Sequence, residues 1–82
     1  MPVRTMLNLA PSKPSKKLIE ILKDLLSEDD RNVVELPNLL EEDANFFIKA
    51  FETYNMKKEK VISEESGLFT YTLYISKFVS FV

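Results

Sequence analysis

The stretch FTYTLYISKFVSFV, residues 69–82, alternates with a period of two. Phe69, Tyr71, Leu73, Ile75, Val79 and Phe81 occupy one set of positions, and Thr70, Thr72, Tyr74 and Ser76 the other. This is the pattern of a strand with one buried face and one outward face. Fourteen extended residues reach about 46 Å at ~3.3 Å each, whereas a domain of this size is only about 30 Å across. The strand must therefore bend or break near Ser76 and Lys77, or project from the body. From Phe78 onward both faces are apolar, at Phe78, Val79, Phe81 and Val82. Those residues need cover, from their own chain or from a partner.

The sheet that this strand requires is assembled from what precedes it. SKKLIEILKDLLSEDD places Leu18, Ile21, Leu22 and Leu25 on one helical stripe, flanked by Ile19 and Leu26 and capped by Ser15. RNVVELP reads as a short strand stopped by Pro37. NLLEEDANFFIKAFETYNM reads as a second helix capped by Asn38, with Leu40, Ala44, Phe47, Ala50, Phe51 and Tyr54 inward and Phe46 and Ile48 on the margins of that stripe. Glu41, Glu42 and Asp43 fall in its first turns, where the helix dipole favours negative charge. Val61 and Ile62 form a short strand, and SEESG around the single Gly67 turns it into the long one. The expected architecture is α+β, in the order α-β-α-β-β, with two helices packed on one face of a three-stranded antiparallel sheet. Residues 15–82 make the single domain. Residues 1–14, with two prolines following scattered apolar side chains, are a tail or linker, or a short strand packed on the body. A winged helix is the rival arrangement, but it requires a third helix that these residues do not encode.

The chain of 82 residues has neither cysteine nor histidine. Disulfides, thiolate metal sites and imidazole-based catalysis are thereby removed, so no enzyme, metal or cofactor is expected. No apolar run is long enough to span a membrane, and a soluble intracellular protein is expected. The net charge of −2 is unevenly spread, with acid concentrated in residues 27–46, so strong binding of duplex DNA is not expected.

The segments ELPNLLEEDANFFIKAFETYNM and VISEESGLFTYTLYISK together resemble the R-three-H domain, a module that binds single-stranded nucleic acid. The resemblance spans roughly residues 16–77, and its spacing is nearest to the domain found in poly(A)-specific ribonuclease. It implies a fold of two helices on a small sheet and a nucleic-acid surface around a signature Arg and His four residues apart. Those positions fall at Ala44 and Ile48, so neither signature residue is present.

Two functions for a noncatalytic module follow. One is weak, salt-sensitive binding of single-stranded nucleic acid, including RNA, by Lys49, Lys57, Lys58, Lys60 and Lys77, with Tyr74 or Tyr54 as a stacking surface. The bland reading of these lysines is a solvated rim balancing Glu52, Glu59, Glu64 and Glu65. The other is protein association, as a homodimer or as an inhibitory accessory protein of the kind a virus carries. It would act through Phe78, Val79 and Phe81 and the helix margin at Phe46 or Ile48.

Overall fold

The computed structural model describes residues 5–8 and 14–81. The elements are β1 (Thr5–Asn8), α1 (Lys16–Glu28), β2 (Asn32–Leu39), α2 (Glu41–Ala50), β3 (Asn55–Ile62) and β4 (Phe69–Ser76). The fold is α+β, with two helices and an antiparallel trio of strands in which β4 lies between β2 and β3. A fourth strand joins that trio. Thr5–Asn8 pairs in parallel with Asn32–Glu35, so the element order gains a leading strand and the sheet reads β1-β2-β4-β3. Four residues are too few to show a period, which is why the sequence leaves them open between tail and strand. Residues 9–13, read as linker, and Val82 lie outside the described residues.

Helix α1 begins where its sequence dictates. The Ser15 hydroxyl accepts the Leu18 N–H at 3.1 Å, satisfying one of the orphan donors of the first turn. Its buried stripe is centred on Leu22 and Leu26, with Leu18, Ile19 and Leu25 partly covered, and Ile21 is turned further outward than expected. At the other end the Asn32 amide donates to the Leu25 carbonyl at 2.8 Å, so the first residue of β2 closes the helix. The connection is a tight turn in which Asp29 accepts from the Arg31 backbone at 2.9 Å and from its guanidinium at 3.2 and 3.0 Å. Arg31 holds the Asp29 carboxyl down to about 2.

Pro37 does not end β2. Leu36 pairs with Leu73 and Leu39 with Tyr71, so three steps on β2 face two on β4. The extra residue is a bulge, which tolerates proline because the ladder is already interrupted there. Asn38 takes the left-handed backbone conformation at φ 60, which Asn adopts more readily than most residues. The bulge also resets the side-chain alternation, so that both Leu36 and Leu39 are buried three residues apart. Asn38 is consequently part of the strand, and α2 starts three residues later with Leu40 at its N-cap and no side-chain cap. The helix ends at Ala50, and the segment read as its last turn leads into β3.

The core joins Leu22 and Leu26 of α1, Ala44, Phe47 and Phe51 around α2, and Val34, Leu36, Leu39, Leu73 and Ile75 of the sheet. Val34 lies opposite Ile75 and Leu36 opposite Leu73, which puts these four side chains on one face. Strand β4 stops at Ser76, well short of fourteen residues, in a body whose longest extent is 38 Å. The chain then turns. The Val79 N–H donates to the Ser76 hydroxyl at 2.9 Å, and the Phe81 ring lies 6.4 Å from that of Tyr74. Val33 and Ser76, on the face opposite the core, are fully buried.

Candidate binding surface at the open end of the hairpin

Strand β3 is the outermost strand and runs in unbroken register with β4 from Asn55 opposite Ser76 to Ile62 opposite Phe69. Eight residues are strand here, although only Val61 and Ile62 show it in sequence. MKKEK has no apolar alternation to betray it, because an edge strand is held by its neighbour's backbone while its side chains stay wet. The hairpin loop is closed by the Ser63 N–H donating to the Leu68 carbonyl at 2.8 Å and the Gly67 N–H donating to the Ser63 carbonyl at 2.9 Å. Gly67 sits at φ 70, the left-handed region that a turn of this kind needs glycine to reach cheaply.

Among the described residues the sheet beyond Tyr71 is two strands wide, since β2 has already ended at Leu39. Four large apolar side chains are exposed there. Leu68 is 70% exposed and Ile62 63%, with Val61 at 46% and Phe69 at 43%. Phe69 and Tyr71 point to the same face, their rings 5.7 Å apart and nearly perpendicular. The Lys60 ammonium lies 3.9 Å from the Phe69 ring centroid and that of Lys58 4.9 Å from Tyr71, each held by the negative face of the ring. Neither lysine has an ion-pair partner among the described residues.

The lysines singled out in sequence do not form one track. Lys58 and Lys60 share a face; Lys57, just before them, points to the other face, where it bonds Glu59 at 2.9 Å and lies 5.9 Å from the Tyr74 ring. The Glu59 hydrogen bond raises the Lys57 pKa. Burial raises that of Tyr74, with Glu59 and Glu35 adding to the shift. Lys77 lies over the ring of Phe78, and Lys49 sits in the last turn of α2. Lys49 borders a shallow depression with Glu42, Asn45, Phe46 and Ala50. Tyr54 packs against the core and Phe51, 5.2 Å ring to ring.

The apolar candidates are dispersed as well. Phe46 is exposed, whereas Ile48 packs on the core; Phe78 is exposed, whereas Val79 and Phe81 are half-buried where the tail turns back on the sheet. Ala44, where the resemblance places the signature Arg, is fully buried, and Ile48, at the His position, is partly so. No group of three or more Asp or Glu side chains is placed to hold a metal among the described residues. No helix among them is long and apolar enough to cross a membrane.

Sequence reasoning passed over Ile62, Leu68, Phe69 and Tyr71 as a functional set. The alternation of Phe69 and Tyr71 is visible, but it is the alternation of a core face, and Leu68 stands outside it. Only the width of the sheet reveals that none of the described elements covers this end of the face. No family model matches the chain, and neither a curated protein nor a solved structure matches it.

Proposed function

We propose that the chain is a noncatalytic binding module that engages another protein with the open end of the β3–β4 hairpin. One observation carries this reading: Ile62 and Phe69, opposite each other on one face, and Leu68 in the adjoining loop are all exposed at one end of a single hairpin, where a closed loop and a continuous ladder hold them in place, with Val61 exposed on the other face. Apolar side chains fixed in water at one site are the usual mark of an interaction surface. The absence of histidine and cysteine from the sequence supports a noncatalytic role. An R-three-H-like arrangement, with both helices over one face of three antiparallel strands, accords with the shared core of the two helices and with Val34, Leu36, Leu73 and Ile75.

Single-stranded nucleic acid is the second reading, favoured by the pairing of Lys58 with Tyr71 and Lys60 with Phe69 on one exposed face. It ranks lower because each ammonium sits on the ring a base would stack against. Glu64 and Glu65 also stand in the adjoining loop, and the buried Ala44 offers nothing at the signature position.

A photoactivatable residue at Leu68, with the same residue at Glu20 on α1 as control, tests the proposal. The expected result is a discrete adduct from position 68 only, identified by mass as a protein and lost on I62S/F69S. An adduct that nuclease removes transfers the site to nucleic acid. Equal, diffuse labelling from both positions overturns the proposal.

A further inference from the structure

We infer that the partner is taken as an added strand on the free edge of β3, and that the segment taken is acidic. This deepens the hairpin reading and rests on it. The two edges of the sheet differ: β1 offers four residues, whereas β3 offers eight in one register with no bulge. Half of the backbone N–H and C=O groups of such an edge point away from its neighbour and are available to another chain.

Edge strands are commonly blunted by lysine, and β3 carries three, at Lys57, Lys58 and Lys60, against the single Glu59. Blunting by charge is selective, however. It deters neutral or basic strands and rewards one that brings carboxylates. Lys57 is already neutralised by Glu59, leaving Lys58 and Lys60 two residues apart on the same face with only aromatic rings for company. A visiting strand with carboxylates at alternate positions places one beside each of them. An apolar residue at the next alternate position meets Ile62 and Phe69, which already lie opposite each other on that face.

A second copy is a poorer occupant. Pairing β3 with itself over its whole length, Asn55 opposite Ile62, sets Lys57 against Lys60 twice. It also sets Lys58 against Glu59, and so gains no net attraction. A single nucleic-acid strand would find only two unpaired cations here, too few phosphate contacts for useful affinity.

The full-length protein is titrated by amide NMR with three probes: an extended peptide of about eight residues with Glu at two alternate positions and Val at the next alternate one, its counterpart with Lys in place of Glu, and oligo(dT) of about twelve nucleotides. The acidic peptide is expected to shift β3 resonances, to slow exchange of the outward β3 amides, and to bind more weakly as salt rises. K58E/K60E should weaken it by about tenfold or more with the fold intact, while K58R/K60R retains it. Equal binding of the basic peptide, perturbation away from β3, or no binding overturns strand addition. Binding of oligo(dT) to this face without the acidic peptide overturns it in favour of single strands. A protein adduct from Leu68 combined with failure of the acidic peptide discards strand addition and leaves the hairpin reading standing.

Discussion

The two ends of β4 are the same strand in two environments. At one end Leu73 has Leu36 on one side and Lys58 on the other, shares the core with Leu22, Leu26, Phe47 and Phe51, and has no exposure. At the other end Phe69 has only Ile62 beside it, and both are exposed. The side chains are equally apolar. What differs is how many strands and helices share the level at which each stands, and the lesson is that burial here follows sheet width, not hydrophobicity. A strand that outruns its neighbours turns a core face into a contact face without any change in sequence pattern.

The sharpest way to break the comparison is to truncate one residue at each end. Leu73→Ala should cost about 2–5 kcal/mol, a lost transfer energy plus a cavity that the packed helices cannot fill. That is a large share of the roughly 5–15 kcal/mol that holds most domains folded. Phe69→Ala should cost only about 1 kcal/mol, since the residue is 43% exposed and stands where the sheet is two strands wide. Urea unfolding of the two variants decides the matter. Comparable losses would mean that the Phe69 end is packed like the core and that the proposed surface is misplaced.

Removal of residues 78–82 comes next. Val79 and Phe81 are half-buried against the face that carries Tyr74, so their loss together should cost about 1.5–3 kcal/mol, roughly half of what full burial of two such side chains yields. The solution mass by light scattering should not change, because the tail returns to its own sheet. A fall in mass on truncation would restore the tail as an interface and weaken the hairpin's claim. A smaller effect, on the turn that sets the open end, is expected of Gly67→Ala. No atom lies within 4 Å of an added Cβ, so the loss of about 1–2 kcal/mol is the backbone cost of holding φ 70 with a side chain attached. Hydrogen exchange should locate that loss in the loop amides and leave the Leu73 end as protected as before.

How much of this was legible beforehand divides along the same line. The helices were readable because LIEILKDLL and NFFIKAF carry a 3.6-residue stripe, and the Ser15 cap and Gly67 turn because those residues perform local chemistry. Pro37 misled because proline ends a regular strand, while here the bulge absorbs it and allows both Leu36 and Leu39 to reach the core. Strand β3 was largely hidden because MKKEK pairs through its backbone. Of the candidate lysines, the sequence placed Lys57, Lys58 and Lys60 close together, but a period of two puts Lys57 on the opposite face from the others. Ile62, Leu68, Phe69 and Tyr71 escaped notice because exposure depends on where β2 stops, and that is decided by pairing between distant residues.

The faintest expected effect concerns the covered face. Tyr74 lies beside the Phe81 ring and near Lys57, and burial, joined by Glu59 and Glu35, raises its pKa above the ordinary value. A raised pKa means that the folded chain keeps this proton when the unfolded chain has begun to lose it. The stability that comes with the neutral hydroxyl is therefore whole below about pH 10, where an unfolded tyrosine titrates. It declines as pH rises from there through the higher folded value. Tyr74→Phe should remove that part of the alkaline decline, and the wild-type minus variant difference in tyrosinate absorbance should show a group titrating later than ordinary tyrosine. If the difference titrates at the ordinary position, the tail is not shielding Tyr74. The contrast between a covered and an open surface would then rest on the helices alone.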